Sequence, residues 1–200
     1  MLTIRNTEVY GLERALRASG NAMTTGEINT TTDAQPASKS LARGMALGSN
    51  PAGSAHDHYL CGIIVQFDIL YPQYWAPEAG RYHWFEIVTS QSTMHRLSVS
   101  LADGKDPYNK YVDDRIKAIV AEKLAAYNAN PCYETFIALR SNLPSGYEMW
   151  ETITTNYLQL KTMYAQRRNH KLKEDWGAFC DWCESLPLFK ELTQKQNLAV

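Results

Sequence analysis

The segment from Cys61 to Pro72 constrains the fold of this chain more than any other part of the sequence. It reads CGIIVQFDILYP, and alternate residues fall on opposite faces of an extended backbone. The more apolar face carries Cys61, Ile63, Val65, Phe67, Ile69 and Tyr71. A period of two residues is that of a β-strand with one buried face, and a proline cannot continue the ladder of hydrogen bonds. We therefore expect a strand over 61–72 that ends at Pro72.

Apolar residues at helical spacing account for much of the remaining chain. We expect helices over about 109–129, 133–141, 157–169 and 172–185, and an extended segment over 146–156. Residues 7–19 predict a short strand that enters a helix with Leu12, Ala15 and Leu16 on one face. A helix or turn over 74–87 leads into a polar loop. Strands and helices alternate, and helix predominates, which indicates an α/β (α+β) fold.

A polar segment over about 20–57 is rich in Gly, Ser, Thr, Asn and Pro, which is a loop composition. Within it, residues 38–48 predict one short helix capped by Ser38. A polar segment of this length inside a compact domain is usually functional or mobile. The length of 200 residues suits a single domain over 1–200.

The charge balance argues against two classes of partner. Twenty Lys and Arg against 21 Asp and Glu leave a formal net charge of −1, so nothing draws the whole chain to nucleic acid or to an anionic membrane. No apolar run resembles a signal peptide or a membrane span. Four cysteines in a chain of this length do not indicate a secreted disulfide scaffold. We expect a cytoplasmic protein with neither kind of partner.

Basic and hydroxyl side chains concentrate in residues 81–96. The candidates for binding in this stretch are Arg81, His83, Ser90, Ser92 and Arg96. Guanidinium and hydroxyl groups in a loop suit a phosphate or a carboxylate, because they combine fixed positive charge with short hydrogen-bond donors. A polar turn with capping hydroxyls is the alternative.

Three other clusters carry weaker signals. Arg140 and Arg167 stand near helix C-termini, where cations also stabilise the helix dipole without a ligand. Cys180 and Cys183 form a CxxC pair, but no second pair completes a zinc site, which favours core packing over metal or redox chemistry. The sequence His-Asp-His at 56–58 suits a solvated turn better than a metal site. We therefore predict no metal site.

Two intervals carry a resemblance to the flavin-dependent (alternative) thymidylate synthases. Their signature is Arg-His-Arg, seven residues and Ser, with Glu two before that Ser and Arg two after. Here His83 lies nine residues before Ser92, which is the spacing of the signature His and Ser. His56 precedes the strand that ends in proline, as in the family. The resemblance covers residues 7–190.

Downstream intervals match the same family. Arg140 stands three residues before Leu143-Pro144, which matches the family's Arg-x-x-Leu-Pro. Asn156 lies twelve residues after that proline, and Arg167 lies eleven residues after Asn156. Within the signature, this chain differs from the family at four positions, where the family has Arg, Arg, Glu and Arg. These positions hold Tyr82, Trp84, Ser90 and Met94, with Arg81 one residue early and Arg96 two residues late. An aromatic ring in place of a guanidinium removes both charge and fork geometry.

The resemblance implies a fold, a ligand and an assembly. The fold is a ThyX-like mixed sheet with packed helices. The implied nucleotide contacts are Arg81, His83, Ser90, Ser92, Arg96, Arg140 and Arg167, and the implied flavin contacts are His56, His83 and Asn156. The implied site forms between subunits of a homotetramer, with FAD as cofactor and methylenetetrahydrofolate and NADPH as co-substrates for dUMP methylation. A non-catalytic protein that binds or sequesters a nucleotide on the same scaffold is the alternative, and the divergence suggests a phage-like source.

Overall fold

The computed structural model describes residues 2–31 and 37–194. Four strands form one sheet, namely β1 (Thr3–Tyr10), β2 (Ile64–Pro72), β3 (Glu86–Ser90) and β4 (Glu148–Asn156). Their order across the sheet is β1-β2-β4-β3, and all three pairings are antiparallel. The α+β class is confirmed. The prediction of a mixed sheet was wrong, because every pair of neighbouring strands runs antiparallel. Parallel neighbours would need a crossover connection that returns the chain to the same end of the sheet.

The central strand has the alternation expected from the sequence. Its inner side chains Val65, Phe67, Ile69 and Tyr71 are buried, and the intervening side chains are exposed or half-buried. The strand starts at Ile64 rather than at residue 61, because His58–Gly62 form a 3-10 turn.

The described residues also form α-helices, of which several pack on one face of this sheet. They are α1 (Leu12–Ala18), α2 (Ala37–Gly48), α3 (Ala76–Ala79), α4 (Leu97–Ala102), α5 (Asp114–Ala129), α6 (Tyr133–Ser141), α7 (Tyr157–Arg167), α8 (Lys173–Ser185) and α9 (Phe189–Thr193). Within 2–31 and 37–194, none is both long and apolar enough to cross a membrane. Ser38 does not cap α2 as predicted, because that helix already begins at Ala37, and the preceding residues 32–36 lie outside the described part.

Two further boundaries differ from the prediction. The helix expected from residue 109 begins at Asp114, because the Asp113 carboxylate accepts the Arg115 backbone N–H over 2.9 Å and caps it there. Residues 86–90, expected in a turn and a polar loop, form the edge strand β3. All five of its residues are exposed, so the strand lacks a buried alternation that the sequence could reveal.

The main core lies between the inner face of the sheet and the helices α7, α8 and α9. Large side chains from several elements meet there, including Phe67, Trp75, Trp176, Phe179 and Phe189. Cys180 and Cys183 are buried and free, as core packing requires. A smaller cluster joins α4, α5 and α6 to the start of β4 through Leu97, Val120, Leu139 and Tyr147. This cluster supports the loop that follows β3.

Candidate functional site

The residues singled out from the sequence lie at opposite ends of β3. Trp84 precedes this strand and Ser92 follows it. Since β3 has five residues and a strand rises about 3.3 Å per residue, its two ends are roughly 13 Å apart. Each end has its own concave surface.

At the first end, a cleft that we call the Trp84 cleft has a volume of about 370 Å³. Its lining residues are Ala52, Gly53, Ala55, Asp57, His58, Trp84, Leu158, Gln159 and Thr162. The Trp84 side chain is 62% exposed. Its backbone is fixed, since its N–H donates to Gln159 Oε1 over 3.3 Å and its carbonyl accepts from the Thr155 hydroxyl over 2.5 Å. The cleft therefore offers an exposed indole ring on a fixed backbone.

A buried ion pair holds one wall of the Trp84 cleft. Lys161 Nζ lies 2.5 Å from Asp57 Oδ2 and donates to the Gly48 carbonyl over 2.8 Å. The two side chains are only 9% and 2% exposed. Since Gly48 and Asp57 bracket the loop 49–56, Lys161 fastens both ends of that loop to α7. Sequence reasoning missed this lysine, whose only signal was a charge within the otherwise uncharged run YLQLKTMY.

His56 and His58 are exposed on either side of Asp57. The Asp57 carboxylate faces Lys161 rather than the imidazoles. Among the described residues, no three His, Cys, Asp or Glu side chains are grouped so that they could hold a metal ion.

Arg167 lies inside the protein and contacts its own chain. Its Nε donates to the Tyr82 hydroxyl over 2.7 Å, and its Nη1 donates to Glu78 Oε2 over 3.2 Å. The guanidinium carbon lies 4.7 Å from the centroid of the Trp176 ring. The side chain is 14% exposed. The arginine that the resemblance assigns to the nucleotide is thus held by an acid and two aromatic rings.

Glu78 is the centre of this cluster. Besides Arg167, its Oε2 accepts from Trp176 Nε1 over 2.8 Å and lies 3.4 Å from His170 Nε2. His170 Nδ1 accepts the Leu172 backbone N–H over 3.2 Å, so the Nε2 atom carries the imidazole proton that faces Glu78. The three partners together fix the carboxylate.

Asn156 is buried and caps α7. Its Oδ1 accepts the Gln159 backbone N–H over 2.9 Å, which satisfies one of the free donors at the start of the helix. The Gln159 side chain in turn accepts the Trp84 backbone N–H. The flavin contact assigned to Asn156 stays a prediction.

At the second end of β3, a depression that we call the Trp150 pocket has a volume of about 300 Å³. Its lining residues are Arg5, Asp68, Thr89, Ser90, Gln91, Trp150, Glu151 and Thr152. Gln91 extends the ladder beyond β3, because its N–H donates to the Trp150 carbonyl and its Oε1 accepts the Trp150 N–H, each over 3.0 Å. The pocket therefore has a rigid floor.

The loop after this pocket carries the remaining candidates. The Ser92 hydroxyl oxygen accepts the His95 backbone N–H over 3.1 Å and closes the turn ahead of α4. Arg140 is exposed at the end of α6, and its Nη1 contacts the Met94 sulfur. Arg96, at the start of α4, is also exposed. Arg140 therefore lies beside the position where the family signature has its last arginine.

Solved structures of other proteins share this arrangement of elements. The flavin-dependent thymidylate synthase ThyX from Helicobacter pylori, complexed with FAD and dUMP, is 12% identical, and the match covers 97% of each chain with a TM-score of 0.69. A second structure of Helicobacter pylori ThyX with FAD and dUMP is 14% identical, with 98% of each chain covered and a TM-score of 0.68. The chain has the fold of the flavin-dependent thymidylate synthases.

A third solved structure with this arrangement of elements is that of a nucleotide methylase. The UMP/dUMP methylase PolB from Streptomyces cacaoi, bound with 5-Br dUMP, is 12% identical, and the match covers 96% of this chain and 91% of that chain with a TM-score of 0.65. No protein-family model and no curated protein sequence matches the chain. The ThyX fold is thus evident from the structure.

The predicted residues before β3 and those at its end or after it form two groups. Arg81, His83 and His56 are exposed near the Trp84 cleft. Ser90 lines the Trp150 pocket, Ser92 and Arg96 lie in the segment that follows it, and Arg140 contacts Met94 of that segment. Arg5, Trp150 and Lys161 were not expected from the sequence. Arg5 and Trp150 come from strands that the signature does not include.

Proposed function

We propose that this protein binds a pyrimidine nucleotide, dUMP or a close relative, at a site shared between copies of the chain. The observation that carries the proposal is the pairing of a ThyX fold with exposed nucleotide-type donors at the Trp150 end of β3. Ser90 presents a hydroxyl in the pocket, and the exposed Arg140 presents a guanidinium beside Met94 in the segment that follows β3. The structures of this fold from Helicobacter pylori and Streptomyces cacaoi hold dUMP or 5-Br dUMP. Guanidinium and hydroxyl donors together suit a phosphate.

The separation of the two ends of β3 supports a shared site. The Trp84 cleft and the Trp150 pocket of one chain lie at opposite ends of β3 and share no lining residue, so they form two separate surfaces. A homotetramer would place the cleft of one copy against the pocket of another. In this assembly the base and the phosphate of the nucleotide meet residues of different copies. The four cysteines are free, which suits the cytoplasmic setting that we propose.

The Trp84 cleft fits only part of FAD. Its exposed indole suits the stacking of a planar ring. Its lining residues include no arginine or lysine, and the nearby Lys161 is already paired with Asp57, so none of the lining residues supplies a fixed positive charge for the diphosphate. The residues of one copy therefore do not form a complete site for FAD, and we derive no redox step for them.

Methylation of dUMP is the second candidate function. The observation that favours it is the exposed ring of Trp84 beside His58, which offers a stacking surface for the flavin ring. This activity would need FAD, methylenetetrahydrofolate and NADPH. Visible absorbance of the purified protein after incubation with FAD and dialysis tests the candidate. A retained flavin band would support it, and its absence would leave nucleotide binding without redox chemistry.

Calorimetry with dUMP tests the main proposal. Arg140→Ala should weaken dUMP binding at least tenfold, because it removes a charged donor that we place on the phosphate. Arg115→Ala is the matched control, since Arg115 is an exposed arginine that pairs with Asp113 within its own turn. Equal affinities of the two variants would remove Arg140 from the site.

Mixing of variants tests whether the site is shared. Trp84→Ala and Arg140→Ala would each weaken binding when alone. In tetramers reassembled from both variants, some sites would combine an intact Trp84 cleft with an intact Arg140, so part of the binding should return. Reassembly of Arg140→Ala with the double variant should restore none. No recovery from the first mixture would place the whole site in one chain.

A further inference from the structure

Arg5 and Asp68 lie directly opposite each other on β1 and β2, yet no ion pair joins these two described side chains. Opposite charges at directly opposed positions of a sheet usually pair. Here both oxygens of Asp68 are taken by other donors. Oδ2 accepts from Asn6 Nδ2 and Oδ1 accepts from the Thr152 hydroxyl, each over 2.7 Å.

A β-bulge in β1 explains why Asp68 is hydrogen-bonded to Asn6 and not to Arg5. The register of β1 against β2 shifts between Arg5 and Glu8, and Asn6 has a left-handed φ of 52°. Asparagine tolerates this conformation better than most residues, and bulges redirect side chains next to functional sites. The bulge thus directs the Asn6 amide onto Asp68, so that Arg5 acts on Asp68 through its charge but forms no hydrogen bond or close ion pair with it.

The guanidinium of Arg5 lies over an aromatic ring. Its central carbon is 3.8 Å from the centroid of the Trp150 ring. A cation–π contact uses the charge of the guanidinium and leaves its N–H donors available for hydrogen bonds. With the described residues, Arg5 makes no hydrogen bond and no ion pair. The side-chain hydroxyls of Thr89 and Ser90 in the same pocket are likewise without a hydrogen bond to a described residue.

We propose that Arg5 binds the phosphate group of a phosphomonoester in the Trp150 pocket. A planar fork of donors with hydroxyl groups beside it is suited to phosphate. Arg5 would thereby supply a charge that the signature lacks at Met94. The inference rests on the nucleotide-binding function proposed above. The Asp68 carboxylate is the nearby opposing charge, and its hydrogen bonds to Asn6 and Thr152 keep it occupied.

Calorimetry with dUMP and deoxyuridine tests this proposal, because the two ligands differ only in the phosphate. The wild-type protein should prefer dUMP. Arg5→Gln should lower the affinity for dUMP at least tenfold and leave that for deoxyuridine unchanged. Arg14→Gln, which removes another exposed arginine from α1, is the control and should bind as the wild type does. Wild-type affinity for dUMP in Arg5→Gln would overturn the proposal and leave the proposed function intact.

A variant outside the ligand contacts gives a second test. Asn6→Gly keeps the left-handed backbone accessible and removes the amide that holds Asp68. Asp68 should then pair with Arg5, and the affinity for dUMP should fall while that for deoxyuridine is retained. An unchanged affinity for dUMP would contradict this mechanism.

Failure of the proposed function would look different. In that case the wild-type protein would bind neither dUMP nor deoxyuridine. Titration with inorganic phosphate would then decide the role of Arg5. Phosphate binding that Arg5→Gln abolishes would support the anion site, and absence of phosphate binding would overturn it.

Discussion

Arg167 donates a hydrogen bond from Nε to the Tyr82 hydroxyl over 2.7 Å, and its guanidinium carbon lies 5.4 Å from the centroid of the Tyr82 ring. Tyr82 occupies the position of the first signature arginine. A second guanidinium at this point would lie beside Arg167 and compete for Glu78. The tyrosine instead accepts a hydrogen bond from Arg167 and covers it. The change in the signature and the inward position of Arg167 are therefore physically coupled.

Arg167→Ala should lower the free energy of unfolding by about 2–3 kcal/mol, because it removes charge-assisted hydrogen bonds and leaves a partly buried Glu78 with one fewer partner. Urea denaturation at neutral pH measures the loss. Arg81→Ala, at an exposed residue, should change it by less than about 0.5 kcal/mol. If both variants have the free energy of unfolding of the wild type, the contacts of Arg167 with Tyr82 and Glu78 do not stabilise the fold. The affinity of the Arg167→Ala variant for dUMP should also fall. An unchanged affinity would remove Arg167 from the nucleotide site.

Lys161→Met should cost about 3–5 kcal/mol of stability, since it leaves the Asp57 carboxylate buried without its partner. The double variant Lys161→Met with Asp57→Leu should lose less than the sum of the single losses, because the two charges are removed together. Chemical denaturation of all three variants completes this cycle. Lys123→Met is the control, because Lys123 pairs with Glu122 on the surface and should lose at most about 1 kcal/mol. Additive losses would show that the two groups do not interact.

How far the sequence predicts this fold depends on where each contact comes from. Strand β2 was predictable because burial of one face leaves an alternating pattern in consecutive residues. Strand β3 was not, because all of its side chains are exposed and its pairing is decided by β4. Propensity and periodicity report local structure, whereas an edge strand is specified by its neighbour.

The same distinction holds at the candidate site. The sequence correctly predicted an extended segment that ends at Asn156 and a helix that begins at Tyr157 and contains Arg167. It could not reveal that Glu78, which is 89 residues earlier, faces the guanidinium of Arg167. Arg5 was equally hidden, because its stacking on Trp150 depends on a bulge and on three adjacent strands. Such contacts between distant segments become visible only in the folded chain.

Glu151 and Asp68 should give opposite pH dependences of stability. Burial raises the pKa of Glu151, and a hydrogen bond with Tyr71 opposes this shift. The folded state therefore favours the neutral acid, and the resulting stability is present below the unfolded pKa of about 4.3 and lost as pH rises through the folded pKa. Relative to Glu151→Gln, the wild type should lose stability as the pH rises from about 4 to 7.

Hydrogen bonds from Asn6 and Thr152 lower the pKa of Asp68. Its contribution is present above the unfolded pKa of about 3.9 and is lost as pH falls through the folded pKa. Relative to Asp68→Asn, the wild type should therefore lose stability on acidification. Urea midpoints measured across this pH range check both signs. A pH dependence of the same sign in the two comparisons would be inconsistent with the environments of these carboxyls.

Thiol accessibility tests the core-packing interpretation of the CxxC pair. Burial raises the pKa of Cys180 to about 11 and that of Cys183 well above its ordinary value. Thiolates are the reactive form, so neither group should react with dithionitrobenzoate in the folded protein. Cys132, at the start of α6, is partly exposed and should react. Rapid modification of Cys180 or Cys183 before unfolding would indicate that this part of the core opens.

Sedimentation should find an assembly of about four times the 22.7 kDa chain mass. The physical reason is that the Trp84 cleft and the Trp150 pocket lie at opposite ends of β3 and share no lining residue, so we place them together only by bringing two copies into contact. A monomer that still binds dUMP with full affinity would rule out the shared site while leaving nucleotide binding in place.

Titration of the wild-type protein with dUMP, followed by calorimetry, tests nucleotide binding most directly. We predict saturable binding at one dUMP per chain, with weaker binding of deoxyuridine because it lacks the phosphate. Saturable binding of dUMP that exceeds that of deoxyuridine would establish the site as a nucleotide site. Absence of binding to dUMP, UMP and the other pyrimidine nucleotides would contradict the proposed function.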